Sequence, residues 1–345
     1  MSRNLLDPLF ECERLPDVKT DALASSGYLE LDQKRCVSMT AIGDLQDALR
    51  NNGLRRVGYR NTQSLLPRII GKTGFLRRYN RKTSRTFFAA MMGKAESFLL
   101  PYSLTMEPIV YCFDCWAPEY SWWVSFFKRY RIRRAFFSAR ASASFFSKTL
   151  PEFGATWVPE ATNLDQYSKG PDLSSRSIDV LELGRRHEWF HTRVAAHILA
   201  AGKSHLYQGA GKVFSGYGRA KLRAGLAETR ISICFPKSMT HPEVAGGVET
   251  VTHRYFESMA SGCLLYGHCP DELQTLFGYN PVVEMDPEQP AQQILKLLSE
   301  IDTYQPLVRK NHHRMREVGT WDSRVPQILE GLSLNQVGPQ ALVAG

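Results

Sequence analysis

Short β-rich runs alternate with helical segments along most of this chain, and that alternation limits the folds open to it. The pattern occurs twice, before and after a polar stretch with Gly-Pro and Ser-Ser pairs. Strands separated by helices of about 10–15 residues form parallel units, because a parallel connection has to cross the sheet. We therefore predict an α/β fold of two Rossmann-like domains at residues 1–160 and 178–330, with a linker at 161–177 and a tail at 331–345.

The hydrophobic periodicity and the positions of turn residues predict the individual strands and helices. The predicted strands lie at residues 54–59, 108–113, 134–138, 155–159, 178–183, 212–215, 230–235 and 262–266. The predicted helices lie at residues 41–51, 120–130, 141–150, 189–201, 252–260, 290–300 and 305–318. Residues 1–30 show no clear period and are expected to be irregular.

The net positive charge of the chain comes from its first half. Residues 1–160 contain 24 basic and 15 acidic residues, whereas residues 161–345 contain 19 of each. All nine histidines lie at or after His187. This asymmetry excludes a uniformly basic chain and indicates that the first half meets an anionic partner.

Simple features exclude several classes of protein. No run of about 18 apolar residues is present, so no transmembrane helix is expected. Asp7 and Glu11 interrupt the apolar start, which argues against a signal peptide. The seven cysteines are odd in number and lie mostly in apolar runs, as expected for reduced thiols of a cytosolic protein. The C-x-x-C spacing of Cys112 and Cys115 indicates either a metal or redox pair or two small residues that end a buried strand.

The most informative segment runs from residue 246 to residue 267. Gly247 and the glycine before it precede Glu249, and Glu257 follows eight positions later, before an Ala-Ser-Gly turn. A helix that begins near Thr250 would direct free N–H groups and the positive end of its dipole at an anion. The glycines allow that anion to approach the backbone. The pattern therefore indicates a phosphate-binding site.

This segment resembles the E-x7-E segment of retaining GT-B glycosyltransferases close to family 4, including their CgeB-like and capsule-type relatives. The resemblance implies a GT-B fold, in which two Rossmann-like domains enclose a cleft that holds a nucleotide-sugar donor. It implies that Glu249 contacts the donor sugar and that Glu257 binds the ribose hydroxyls, while Thr250 and Val251 lend backbone amides. The family's usual Glu-Gly-Phe-Gly is replaced here by Glu-Thr-Val-Thr, so a different sugar pocket is expected.

Two further loops carry the same resemblance. Arg185 and Arg186 follow a predicted strand where the family has a Gly-Arg that pairs with the donor diphosphate, and a planar guanidinium suits two phosphate oxygens. The lysine that the family has a few residues later is missing, and Arg186, Arg193 or Lys237 is a candidate replacement. Tyr217 lies in a Ser-Gly-Tyr-Gly loop similar to the one that contacts the base in the family.

Two other segments are similar to those in which the family's chain crosses from one domain to the other. Residues 157–160 resemble the first passage, and residues 321–324 fall where the last helix returns to the first domain. The resemblance covers residues 155–330 well and the first half only in its alternation of strands and helices.

Each of these residues also has a plain structural interpretation. The alternative for Glu249 and Glu257 is that they are solvated acids on a helix face. The alternative for Arg185 is that it forms an ion pair at the surface. No Asp-x-Asp occurs, so a divalent metal on the diphosphate has no obvious ligands, and no metal or cofactor is expected beyond the donor itself. The histidines interpreted as polar or capping residues rather than metal ligands are His241, His253 and His268.

Glycosyl transfer needs charge neutralisation on the leaving diphosphate and support for an oxocarbenium-like centre. Glu249 is the candidate that orients the sugar. An inverting reaction needs a base near the acceptor, and the first half has no histidine, so the candidates there are Asp114 and Glu119. Asp114 is alternatively an acceptor contact or a structural residue. A retaining reaction, in which the leaving phosphate takes the acceptor proton, needs no such base, and we therefore expect retention.

The basic excess is concentrated in residues 50–94, because twelve Lys and Arg residues and no acid lie between Asp47 and Glu96. A second basic cluster at 128–134 follows an aromatic run at 122–127. Basic residues beside apolar groups favour docking on an anionic membrane. The alternative is a solvated face beside a core helix, and no nucleic-acid-binding motif is present.

These features together predict a glycosyltransferase of the hexosyltransferase type. It would move a sugar from a nucleoside diphosphate sugar to a glycan, a lipid-linked acceptor or a surface-polysaccharide precursor, in the cytoplasm or at the inner face of a membrane. The second domain would bind the donor and the first the acceptor. The alternatives are a sugar-nucleotide epimerase or phosphorylase on the same fold, and a non-catalytic scaffold that binds anionic lipid or polysaccharide.

Overall fold

Two compact α/β units make up the protein. The computed structural model describes residues 26–29, 40–57, 86–93, 99, 102–184, 186–207 and 219–333. Unit 1 comprises Met1–Pro159 and Arg324–Gly345, and unit 2 comprises Glu160–Ser323. Each unit contains one sheet of parallel strands, and the predicted α/β class is confirmed.

Unit 1 is built on a six-stranded parallel sheet. Its strands are β1 (Ser26–Leu29), β2 (Arg55–Val57), β3 (Thr86–Met92), β4 (Glu107–Phe113), β5 (Arg134–Phe137) and β6 (Gly154–Trp157). The strand order is β2-β1-β3-β4-β5-β6, and β3 pairs with β4 along seven residues. The helices that precede unit 2 are α1 (Thr40–Asn51), α2 (Tyr102–Thr105), α3 (Tyr120–Tyr130) and α4 (Arg140–Thr149).

The aromatic residues of α3 lie in the core of unit 1. Trp123, Phe126 and Phe127 are almost completely buried and pack with Phe137 of β5 and Phe146 of α4. Aromatic side chains bury more apolar area than other residues, which explains why the core is centred on this helix. These three side chains therefore belong to the core, whereas docking of the basic clusters at 50–94 and 128–134 on a membrane stays a prediction. Among the described helices, none is long and apolar enough to cross a membrane.

Unit 2 is built on a five-stranded parallel sheet. Its strands are β7 (Ile178–Glu182), β8 (His205–Tyr207), β9 (Thr229–Cys234), β10 (Leu264–Gly267) and β11 (Val282–Glu284). The strand order is β11-β10-β9-β7-β8. The helices are α5 (Glu188–Ala200), α6 (Arg219–Ala227), α7 (Lys237–Thr240), α8 (Pro242–Ala245), α9 (His253–Ala260), α10 (Asp271–Phe277), α11 (Pro290–Ser299) and α12 (Gln305–Val318).

The last helix, α13 (Val325–Ser333), belongs to unit 1 rather than to unit 2. Arg134 of β5 donates a hydrogen bond from Nη1 to the Gly331 carbonyl at 2.8 Å. A Cβ at Gly331 would lie 2.5 Å from the Phe136 ring, so glycine allows the helix to approach the sheet closely. The predicted domain end at residue 330 and tail from 331 therefore differ from the structure, in which the chain leaves unit 2 after Ser323.

The predicted linker at 161–177 is packed on unit 2. Arg176 is 2% exposed and donates from Nη1 to the Thr229 carbonyl at 2.7 Å and from Nη2 to the Ser261 carbonyl at 3.2 Å. The Gly170 amide also donates to the Ser261 carbonyl at 3.3 Å. The polar composition of this stretch therefore reflects hydrogen bonds to the sheet connections and not a solvated linker.

Four of the described strands were not predicted from the sequence, and each omission has a physical reason. Strands β1, β8 and β11 have three or four residues, and at that length, which β2 shares, a hydrophobic period is not decisive. Strand β3 has the sequence TFFAAMM and is buried on both faces, so it lacks the alternation of a half-exposed strand. The predicted strand at 212–215 lies outside the described residues.

Candidate functional site

The strand order of unit 2 reverses between β7 and β9, and ligands of open parallel sheets bind where the order reverses, beyond the carboxyl ends of the strands. Strand β7 ends at Glu182 and is followed by Gly184, which has a φ of 75°. Strand β9 leads to Lys237, the half-buried first residue of α7. The loops that carry Gly184 and Lys237 therefore meet at the same edge of the sheet. Arg185 and Tyr217, both predicted to bind the donor, lie outside the described residues.

Arg254 lies directly against Gly184. A Cβ at Gly184 would lie 2.8 Å from Nη2 of Arg254, so the guanidinium occupies space that only glycine leaves free. Arg254 is the second residue of α9, the helix that follows the Glu249 loop. Arg254 was not among the residues singled out from the sequence, because its contact with Gly184 joins residues 70 positions apart.

The loop before α9 differs from the prediction. The helix begins at His253, and Thr252 is its N-cap, so Thr250 and Val251 precede the helix. The Val251 amide and the Thr250 hydroxyl both donate to Oε2 of Glu272, at 3.3 and 3.0 Å. Glu272 is 4% exposed and lies in the first turn of α10. The Val251 amide, predicted to contact the donor, is therefore directed at a buried acid of the protein in this structure.

Glu249 forms an ion pair with His268, the residue that follows β10. Nε2 of His268 lies 3.0 Å from Oε2 of Glu249, and both side chains are about one-third exposed. The hydrogen bond from His268 holds the pKa of the Glu249 carboxyl below its ordinary value, although partial burial acts in the opposite direction. The same hydrogen bond raises the pKa of His268, assisted by Glu284, whose Oε2 lies 3.5 Å from Nδ1. The pair presents an ionised and accessible carboxylate at the edge of the sheet.

Glu257 is a different kind of carboxylate. It lies in α9, is 8% exposed, and accepts a hydrogen bond from the Tyr167 hydroxyl at 2.8 Å. Nδ1 of His253, one turn earlier, lies 3.4 Å from the same oxygen. Burial acts to raise the pKa of the Glu257 carboxyl, but His253, Tyr167 and Arg254 outweigh it, so the pKa lies below its ordinary value. The alternative that Glu257 is a solvated acid is therefore wrong, and this buried carboxylate remains ionised.

A third group of ionisable side chains was not singled out from the sequence. Glu182 at the end of β7 has Oε1 2.7 Å from Nδ1 of His191 and 2.8 Å from Nε2 of His205. Glu182 and His205 are buried and His191 is nearly so. Among the described residues, these three side chains have ligand atoms close enough together to hold one metal ion, since all lie within 4.8 Å of one another.

The other predicted residues occupy ordinary positions. Arg186 pairs with Glu188 at 2.8 Å, and Arg193 stacks at 4.1 Å on the ring of Trp189. Gly247 has a φ of 81°, and no atom lies within 4 Å of a Cβ built there, so the backbone is open to approach. Asp114 follows β4 in unit 1 with a φ of 50°, a conformation that aspartate tolerates better than most residues. Its role as a base or acceptor contact stays a prediction.

The cysteines of the C-x-x-C pair are buried at the end of β4. Burial raises the pKa of both thiols well above the ordinary value. Buried thiols in apolar surroundings are inert, which favours the structural interpretation of Cys112 and Cys115.

Comparison with known proteins gives matches only among solved structures. No family model and no curated protein matches the sequence. HepE from Anabaena, solved with UDP and glucose, is 12% identical with a TM-score of 0.56, and the match covers 90% of this chain and 99% of HepE. Sucrose-phosphate synthase from Thermosynechococcus elongatus is 13% identical with a TM-score of 0.51, over 91% of this chain and 96% of that one. AviGT4, a glycosyltransferase involved in avilamycin A biosynthesis, is 13% identical with a TM-score of 0.52, over 86% and 89%.

Matches at this identity establish the fold. They extend over most of both units, and the neighbours are GT-B glycosyltransferases, so the chain has the GT-B fold that the resemblance of the Glu249 segment implied. HepE has also been solved with UDP alone and with UDP-glucose. Affiliation with the CgeB-like proteins stays a prediction.

Proposed function

We propose that this chain is a glycosyltransferase that moves a sugar from a nucleoside diphosphate sugar to an acceptor hydroxyl. The observation that supports the proposal is that Glu249 and Glu257, the two acids of the E-x7-E segment, are both held ionised in a chain with the GT-B fold. Glu249 is accessible and Glu257 is buried, so the two carboxylates suit contacts with different parts of an elongated donor. The complexes of HepE with UDP and UDP-glucose support a donor of this class.

The donor diphosphate would be held by the cations around the strand-order reversal. Arg254 at the start of α9 lies against Gly184, Lys237 begins α7 after the neighbouring strand β9, and the N-terminus of α9 adds its dipole. Arg185 belongs to the same loop by sequence. A leaving diphosphate gains negative charge in the transition state, so fixed cations at this position lower the barrier.

The two carboxylates divide the remaining contacts. Glu257 would accept hydrogen bonds from the ribose hydroxyls, because burial and the Tyr167 hydroxyl fix its orientation. Glu249 would contact the sugar, because it is exposed and held by His268. A charge-assisted hydrogen bond to each is about twice as strong as a neutral one. Loss of either carboxylate should therefore affect a different part of the donor.

We propose that the reaction retains the anomeric configuration. The bond between the anomeric carbon and the phosphate oxygen breaks, the acceptor oxygen bonds to the same face, and the acceptor proton passes to the leaving phosphate. This route needs no base from the protein. Proton NMR of the first product formed would reveal the anomer, and an inverted product would overturn this part of the proposal.

The proposal is tested first by binding and turnover of the whole chain. Nucleoside diphosphates and their sugars are screened for a rise in Tm, and release of nucleoside diphosphate is measured with an acceptor panel. Glu249→Gln should keep diphosphate binding and lose turnover by about 100-fold or more, as expected for a misplaced substrate. Glu243→Gln, an exposed acid of α8, is the matched control and should behave as wild type.

Each alternative function predicts a distinct result in the same assays. An epimerase would convert the donor sugar without an acceptor, and a phosphorylase would require inorganic phosphate. A non-catalytic scaffold would bind polysaccharide and release no nucleoside diphosphate from any donor. The absence of a Tm shift with every nucleoside diphosphate would refute the transferase proposal itself.

We do not extend the proposal to a membrane surface. The aromatic residues Trp123, Phe126 and Phe127 are buried in the core of unit 1. Most of the basic segment at 50–94 lies outside the described residues. The acceptor, including a surface-polysaccharide precursor, stays a prediction.

A further inference from the structure

We propose that Glu182, His191 and His205 form a binding site for a divalent transition-metal ion, for which Zn²⁺ is the natural occupant. The ligand atoms would be a carboxylate oxygen of Glu182, Nδ1 of His191 and Nε2 of His205, which lie within 4.8 Å of one another. The inference concerns a site separate from the donor contacts, and it holds or fails independently of glycosyl transfer.

The first argument is an unsatisfied histidine. The His205 side chain is 0% exposed, and neither of its ring nitrogens has an aligned hydrogen-bond partner among the described residues. Oε1 of Glu182 is only 2.8 Å from Nε2, but it lies off the direction that a hydrogen bond requires. Buried polar groups almost always have a partner, and an exception calls for an ion or a water. A metal ion bound to Nε2 would supply the missing partner of that nitrogen.

The second argument is the chemistry of the ligand set. Two imidazoles and one carboxylate are ligands of zinc, with a fourth position left for solvent, whereas magnesium and calcium prefer oxygen ligands alone. Ligands of a tetrahedral zinc site lie about 3.3 Å apart with bond lengths near 2.0 Å. The contacts of 2.7 and 2.8 Å are shorter, so the carboxylate and the two rings would move apart by about 0.5 Å around the ion.

The third argument is that rigid elements hold the three groups. Glu182 ends β7 and His205 begins β8. These neighbouring strands pair with Val180 opposite His205. His191 lies in the first turns of α5, which starts after the same β7 loop. The ring of Tyr207 packs against both imidazoles, with centroids 4.4 Å from His191 and 5.2 Å from His205. Packing of this kind fixes the ring planes, as an ordered site requires.

The bound ion would alter the charge beneath the β7 loop. A divalent ion with one carboxylate leaves a net single positive charge two residues before Gly184. Nη1 of Arg186 now lies 3.5 Å from Nε2 of His191. When Nδ1 binds the metal, Nε2 carries the proton and no longer accepts from Arg186, which keeps its ion pair with Glu188 at 2.8 Å. The ion would therefore tie together β7, β8 and α5 without displacing that pair.

The alternative is a metal-free cluster in which both imidazoles simply surround the carboxylate. Metal binding by the full-length protein distinguishes the two. Chelator-treated protein is titrated with Zn²⁺ against a chromophoric competitor, and separately with Co²⁺, whose visible spectrum reports nitrogen and oxygen ligands directly.

We expect the wild-type protein to bind one Zn²⁺ and to give cobalt bands of a low-coordinate site. His205→Asn and His191→Asn should each weaken Zn²⁺ binding by more than about 10-fold, the loss that even a missing outer-shell partner causes. His197→Asn is the matched control, because His197 is exposed on the same helix, α5, and should leave the affinity unchanged. His191 lies at the edge of the cluster and is more exposed than His205. His191→Asn is therefore the variant to use if His205→Asn does not fold.

Two results would overturn the proposal. One is a wild-type protein that takes up no Zn²⁺ and shows no cobalt bands. The other is uptake that is equal in the wild type, His191→Asn and His197→Asn, because equal uptake would mean that the metal binds elsewhere on the surface.

Discussion

The hydrogen bond from Tyr167 to Glu257 allows a quantitative test of how the buried carboxylate is kept ionised. Tyr167→Phe removes only the hydroxyl that donates to Oε1 at 2.8 Å and leaves the ring in the core of unit 2. A hydrogen bond to a charged group contributes about 1.5–3 kcal/mol. We therefore expect unit 2 to lose about 1.5–3 kcal/mol of stability at pH 7, which lowers its Tm by roughly 3–12 °C.

The pH dependence of this loss identifies its cause. The pKa of Glu257 is lowered in the folded protein, so its ionisation contributes stability above the unfolded pKa of about 4.3 and loses it as the pH falls through the folded value. Below that value Glu257 is protonated in both proteins. The difference between wild type and Tyr167→Phe should then shrink to that of a neutral hydrogen bond, about 0.5–1.5 kcal/mol.

The measurement is urea unfolding at several pH values, followed by circular dichroism, for the wild type and the variant. Tyr304→Phe is the control, because the Tyr304 hydroxyl forms no hydrogen bond with any of the described residues, and it should change little. Equal stability of wild type and Tyr167→Phe at pH 7 would refute the reasoning. A loss that is the same at every pH would show that the hydroxyl acts through packing and not through the charge of Glu257.

Two further predictions address the remaining donor contacts. Arg254→Gln should weaken binding of a nucleoside diphosphate by about 10–100-fold and leave nucleoside binding unchanged in calorimetry, because a charged hydrogen bond to phosphate is lost. Arg309→Gln, which alters an exposed arginine of α12 paired with Asp172, is its control, and equal losses in the two variants would argue against a specific contact. His268→Gln should move the acid limb of the pH–rate profile to higher pH, because the pKa of Glu249 rises when the hydrogen bond from the imidazole is lost. An unmoved acid limb would mean that ionisation of Glu249 does not control the rate.

Several parts of the fold were accessible from the sequence because they depend on local pattern. The helices α3 and α12 have the predicted bounds, Tyr120–Tyr130 and Gln305–Val318, since both carry a clear helical period. The two-unit α/β organisation followed from alternation alone. The chain also passes between units after Pro159 and after Ser323, within the two segments that were similar to the family's passages.

The sequence also singled out Glu249 and Glu257 as candidate site residues, because their spacing and the turn that follows them are contiguous in the chain. It did not identify their partners. Tyr167 lies 90 positions before Glu257, and His268 lies 19 positions after Glu249. Such partners are fixed by the packing of α9 against neighbouring loops, and no local pattern encodes it. The contact of Arg254 with Gly184 was missed for the same reason, since it too joins residues distant in the chain.

The sequence by itself determined the α/β class, the division into two domains and the segment that carries Glu249 and Glu257, because period, punctuation and spacing are local properties. Only the tertiary structure decided which groups surround those residues. It buried aromatic residues of α3 in the core of unit 1, directed the Val251 amide to Glu272, and brought Glu182, His191 and His205 together. Burial and contact arise from residues distant in the chain, and they set the charge state and the ligand chemistry of each group.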